Sequence, residues 1–152
     1  PPTIATDLRI EEIDRGHAAD FGRIVVTAFD WPADLAPVIA ALIGRPGWLH
    51  YMAFDGDRPA ATAAMYVQDE WGWIDFASTL PEYRGRLAQP ALISRRIRDA
   101  AAMGCRHLVV ETAEDLPEKP AISCRNVQRM GFESHYLRPN WLYTFDRRPT
   151  RS

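Results

Sequence analysis

Ile74-Asp75-Phe76-Ala77-Ser78-Thr79-Leu80, then Pro81-Glu82-Tyr83-Arg84-Gly85-Arg86-Leu87-Ala88-Gln89, then Pro90 to Ala102: this stretch decides how the chain folds. The first seven residues read as a strand and the next nine as a basic turn. The last segment carries Leu92, Ile93, Ile97, Ala100 and Ala101 at helical spacing, with Gly104 placed to end the helix. Proline is well tolerated at the first helical position, because that amide has no intrahelical partner. A strand that enters a helix through Arg-Gly-Arg makes an anion site: first-turn amides are unpaired, the helix dipole is positive there, and two guanidinium groups stand beside it. A phosphate-bearing ligand suits that combination. The plainer alternative is that Arg84 and Arg86 are solvated surface charges.

The bulk properties bound the rest. With 152 residues the chain fits one domain with a sizeable core. A hydrophobic content of 47% and a charged content of 25% are ordinary for a globular protein. The net charge of −2 gives no electrostatic case for nucleic acid or an anionic membrane surface. No apolar run approaches the roughly 20 residues that span a bilayer, and no signal peptide is visible. Cys105 and Cys124 lack metal-ligand spacing, so no metal site is expected, and two free thiols fit a reducing, cytoplasmic setting. The chain begins at Pro1 without methionine, as expected of a trimmed chain or of one domain of a longer protein.

Outward from the central stretch, the pattern predicts a first strand at 6–13 and a helix at 17–29, with Phe21, Ile24, Val25, Ala28 and Phe29 on one face. A second helix is expected at 34–43, with Pro37 in its first turn. Strands at 49–54 and 60–67 flank Asp55-Gly56-Asp57, a strong hairpin signal. His107 to Thr112 contains the continuous apolar run expected of a buried strand. A helix at 121–130 closes at Gly131, and a last strand pair is expected at 133–137 and 141–145. The expected fold class is α/β, a mixed sheet of about seven strands with helices on both faces.

Thr79-Leu80-Pro81-Glu82-Tyr83-Arg84-Gly85-Arg86 resembles the acyl-CoA-binding motif of the GNAT superfamily of N-acyltransferases, hydrophobic-x-Pro-x-x-Arg-Gly-x-Gly-x-Gly/Ala. The order of elements is similar to the GNAT fold across nearly the whole chain. The match departs after Arg86, where Leu87 and Gln89 replace the family's later small residues. The resemblance implies that Arg84, Gly85, Arg86, Leu87, Ala88, Gln89 and Pro90 wrap the pyrophosphate of acetyl-CoA. It further implies that the fourth and fifth strands splay around the acyl chain, with backbone groups near Ser78, Thr79 and Leu80 pairing with the pantetheine arm. Leu87 is expected to hold ordinary dihedrals and to point away from the phosphates.

Direct acetyl transfer needs an amine held against the thioester and a group that removes its proton. Asp75 is the first candidate, on one strand face with Trp73, Ala77 and Thr79 by simple alternation. Glu111, at the end of the apolar strand, is the second, because ligands gather at strand C-termini in α/β folds. His50 and His107 are expected to be packed or hydrogen-bonded. By resemblance, the leaving-group acid is a tyrosine four residues before Gly131-Phe132; Val127 occupies that position, with Cys124 one helical turn away. Ser123 and Asn126 either bond to the pantetheine or cap their helix. Trp31, Trp141 and Tyr143 are candidate walls for the acceptor, and Asp30, Asp34 and Glu70 suit a cationic one. The implied function is transfer of acetyl from acetyl-CoA to the primary amine of a small molecule or peptide, by a monomer, a homodimer or half of a tandem protein. The competing function is a catalytically weak or silent module that binds acyl-CoA as a sensor or as the structural half of a tandem-domain protein.

Overall fold

The computed structural model describes residues 3–144. Five strands are present among them: β1 (Arg9–Glu12), β2 (Trp48–Asp55), β3 (Arg58–Gln68), β4 (Trp71–Thr79) and β5 (His107–Val110). They lie side by side in chain order, antiparallel from β1 to β4, with β5 parallel to β4. The helices are α1 (Ala18–Phe29), α2 (Ala36–Ala40), α3 (Ala88–Ala102) and α4 (Ile122–Arg129). Single 3-10 turns precede α1 and α2, so both helices are shorter than the apolar periodicity predicts.

Two apolar layers sandwich the sheet. Tyr51, Ala63, Met65 and Ile74 pack with Leu92 and Ala100 of α3, whereas Met52, Phe54 and Ala64 pack with Phe21, Ile24 and Val25 of α1 and Ile39 of α2. Alternation along β2 and β3 assigns successive side chains to these two layers. Gly22 lets α1 and α2 touch, since a Cβ there would lie 2.3 Å from the Ala36 carbonyl oxygen.

The alternation breaks in β4. Thr62 pairs with Ser78 and Ala64 with Asp75, so β4 carries one extra residue opposite Ala63, and Phe76 adopts φ 49°. This β-bulge returns Ser78 and Leu80 to the face of Asp75 and sends Thr79 to the other. The shared face expected for Asp75 and Thr79 is therefore not formed, because a bulge shifts the period of two by one residue. Carbonyls disturbed by the bulge find side-chain donors. Arg96 of α3, fully buried, donates from Nη1 to the oxygens of Ala64 (3.0 Å) and Asp75 (3.3 Å), and Thr62 Oγ1 donates to that of Phe76 (3.0 Å). Burial pulls the Arg96 pKa down to about 10, which leaves it charged at neutral pH.

Two expectations need correction. Among the described residues the sheet has five strands, not about seven: residues 133–144 form no strand, and Phe145 lies outside the described residues. Among those residues β5 is therefore an edge strand and not a buried one, with Val109 43% exposed, because an apolar run does not reveal how many neighbours a strand finds.

His50 sits on β2 among Phe21 and Trp48, buried, with Nε2 lacking a hydrogen-bond partner. Burial lowers its pKa from 6.5 to about 4. The unfolded chain thus binds a proton that the folded chain refuses, so His50 costs no stability above its unfolded pKa and costs more as pH falls toward the folded one. Urea unfolding should lose about 2–3 kcal/mol from this group across that window, and His50→Leu should flatten the slope. An unchanged slope in the variant would mean that the imidazole is protonated in the fold.

Candidate functional site

The last paired position between β4 and β5 is Ile74 with Val110. Beyond it β4 continues alone on that side from Asp75 to Thr79, and the chain then turns through Pro81–Tyr83 into α3. The half-freed strand, the turn and the start of α4 enclose a groove of about 380 Å³. Ser78 and Thr79 line one wall, and Arg84, Gly85, Leu87, Ala88, Gln89 and Pro90 the next. Ser123 and Asn126 close it from α4. Ten residues singled out in the sequence thus meet around one space.

The turn supplies donors. Helix α3 begins at Ala88, two residues earlier than predicted, and its first helical bond runs from Ala91 N to Leu87 O (3.1 Å). The amides of Ala88 and Gln89 precede that ladder, and Pro90 has none to offer. Gly85 takes φ 83°, a conformation that glycine adopts at little cost. Asn126 Nδ2 donates to Gln89 Oε1 (2.6 Å), which ties α4 to the turn. Helix α4 has no side-chain cap hydrogen bond among the described residues, and Asp115 Oδ1 accepts from the amide of its N-cap residue, Ala121 N (2.7 Å). Ser123 and Asn126 are therefore groove residues and not caps.

Arg84 and Arg86 part company. Arg84 lines the groove, whereas Arg86 is absent from its walls and points to the β2–β3 hairpin. Asp7 (2.6 Å) and Asp55 (3.0 Å) hold its guanidinium, which also lies over the Tyr83 ring, and Thr6 Oγ1 donates to its carbonyl (2.7 Å). The pairing keeps both carboxyls below their usual range. Arg86 thus anchors the turn from behind instead of flanking the anion site, because two carboxylates offer it a better partner. Leu80 also lies off the groove, buried, with its amide given to Ala60 O (3.0 Å).

Leu87 departs from expectation as well. It stands in the left-handed region (φ 61°, ψ 19°) and its half-exposed side chain lines the groove. The turn needs that dihedral to pass from Arg86 into α3, whatever residue occupies the place.

Asp75 is the first β4 residue past the paired segment. It is half-buried, and desolvation holds its carboxyl above the usual range despite the Phe76 amide and the Arg96 charge; the Glu111 charge adds to the rise. Glu111 is exposed and paired with Arg138. Val127 is buried and Cys124 half-buried, so α4 shows no ordinary proton donor at those places. Trp141 and Tyr143 are largely exposed, and Trp31 stacks on Phe29. Phe29, Ala28, Ala77, Tyr83 and Ile122 complete the groove. Sequence reading missed them: only Tyr83, inside the motif, carried any signal.

Residues 11–132 match the acetyltransferase (GNAT) family, and the chain belongs to that family. Among curated proteins none matches it. Solved structures share the fold at low identity. An acetyltransferase of Trypanosoma brucei superposes with a TM-score of 0.72 at 17% identity, over 90% of this chain and 100% of that one. A predicted acetyltransferase with acetyl-CoA from Clostridium acetobutylicum gives 0.71 at 14%, over 88% and 96%. An aminoglycoside acetyltransferase from an uncultured soil metagenomic sample, in complex with sisomicin, gives 0.71 at 11%, over 91% and 97%.

Leu87 generates a stability test. A left-handed non-glycine residue costs about 1–2 kcal/mol, and glycine returns about 0.5–1 kcal/mol of that as chain entropy. Leu87→Gly is therefore expected to raise unfolding stability by about 0.5–1 kcal/mol. A loss in urea titration would mean that side-chain packing at Leu87 outweighs its dihedral strain.

Proposed function

We propose that this acetyltransferase moves an acetyl group from acetyl-CoA to a primary amine by direct attack, with its groove holding the cofactor. The observation that carries the proposal is the coincidence of two features of β4. Its freed half borders the groove at Ser78 and Thr79, and a desolvated carboxylate, Asp75, stands where the strand leaves β5.

The groove fits the cofactor's chemistry. Arg84 and the amides that open α3 suit a pyrophosphate, through charge and the positive helix end. Thr79 backbone groups, Ser123 and Asn126 suit the amides of an extended arm. Acetyl-CoA supplies an activated thioester. In the transfer the amine nitrogen bonds to the acetyl carbon as the carbon–sulfur bond breaks. Asp75 accepts the proton that the ammonium loses, and its raised pKa makes it a better base than an ordinary carboxylate. The thiolate departs without a side-chain acid, which is tolerable because a thiol's unperturbed pKa is about 8.5. Glu111 adds negative potential beside Asp75 and is the lesser candidate.

Arg84→Ala is expected to weaken acetyl-CoA binding by roughly 1–3 kcal/mol at low salt, as for other charge-assisted hydrogen bonds. An unchanged dissociation constant by calorimetry would remove the phosphates from this turn. Asp75→Asn should lower turnover and abolish its rise with pH through the carboxyl's titration, while acetyl-CoA affinity holds. Turnover equal to the parent at every pH would place the base elsewhere. Leu87 in its left-handed pose and the apolar Val127 favour a second role, a module that binds acyl-CoA without transferring it; acetyl-CoA binding without thiol release over an amine panel would support that role.

A further inference from the structure

Three aromatic side chains stand in one row across three strands. Trp48 of β2 pairs with Tyr66 of β3, and Tyr66 with Trp73 of β4, so register puts all three on the same face. The Trp48 ring lies 5.4 Å from that of Tyr66 and 5.9 Å from that of Trp73. Phe76 extends the row at 6.1 Å from Trp48. Each of these rings is partly exposed, and Tyr66 and Trp73 are packed into neither apolar layer. Gly47 seats the row, because a Cβ there would lie 2.6 Å from the Tyr66 ring.

Asp75 shares this face. It is two residues from Trp73 along β4, roughly 6–7 Å of strand, and its partner Ala64 belongs to the same face as Tyr66. A carboxylate at one end of an aromatic shelf complements a ligand with a cation at one end and a flat apolar body behind it. Ring faces add attraction to the cation itself. His50, stacked behind Trp48, is neutral near pH 7 because burial holds its pKa at about 4. The acid whose charge reaches Asp75, Glu111, is already paired with Arg138. A ligand with one cation therefore matches the carboxylate that register places beside the row, Asp75.

We infer that Trp48, Tyr66 and Trp73 form the acceptor platform, and that the acceptor is a monoamine with an aromatic body a short tether away from its ammonium group. The inference rests on the transferase reading for its reaction but not for its binding. The probes are 2-phenylethylamine, ethylamine and spermidine, each compared by kcat/KM with acetyl-CoA saturating. 2-Phenylethylamine should exceed both others by about tenfold or more, which is what one well-stacked ring supplies. Trp73→Leu should bring the ratio of 2-phenylethylamine to ethylamine toward one, chiefly through KM; Tyr66→Leu provides the same test if that variant fails to fold. Equal parent rates, or a preference for spermidine, would overturn the platform while leaving the transferase intact. If no amine is turned over although acetyl-CoA binds, the transferase reading fails and tryptophan fluorescence decides the platform. Saturable quenching by 2-phenylethylamine that Trp73→Leu abolishes supports it, and no quenching overturns it.

Discussion

A single buried guanidinium underlies the working half of this molecule. The bulge at Phe76 interrupts the β3–β4 ladder, and the disturbed carbonyls of Ala64 and Asp75 both turn to Arg96. Unpaired, each buried acceptor would cost about 1–3 kcal/mol. The guanidinium is well suited to the task, since its planar fork presents several donors in fixed directions and stays charged despite burial. With the bulge so secured, the outer half of β4 is free of β5 and can border a groove. Asp75 gains its desolvated environment at the same point.

The turn that follows is held by a different means. Arg86 is drawn backwards onto Asp7 and Asp55, and the carbonyl of the same residue accepts from Thr6. Two segments distant in sequence, residues 6–7 and Asp55, thereby fix one loop. That over-determination explains how Leu87 can persist at φ 61° although a side chain disfavours it. Local strain of this kind survives where the surroundings leave no alternative, and such places often border ligand sites. The guanidinium left on the groove side, Arg84, is the one available for an anion.

The two faces of the sheet are also used unequally. The α3 side is packed with small and aliphatic residues, which brings the helix close enough for Arg96 to reach the bulge. On the α1 side the aliphatic packing stops short of Tyr66 and Trp73, and the aromatic row begins there. Groove, carboxylate and shelf therefore all depend on β4, the strand on which the pairing rules of the sheet change.

Most of the helices, the hairpin at Gly56-Asp57 and the strand–turn–helix around Arg84 were legible in the sequence, because each is set by local periodicity and by residues with restricted dihedrals. The motif likewise pointed to Ser78, Thr79 and the 84–90 turn, which meet around one groove except for Arg86. Four features were not legible, and for one common reason. The partner of Arg86, the extra residue in β4, the number of neighbours beside β5 and the lining from Ala28 and Phe29 all depend on contacts between segments far apart in the chain. Hydrophobic alternation assumes an uninterrupted strand, so it placed Thr79 beside Asp75 where the bulge places Ser78. Two arginines on either side of one glycine look alike in sequence; only the folded positions of Asp7 and Asp55 distinguish the one that builds the loop from the one that faces the groove.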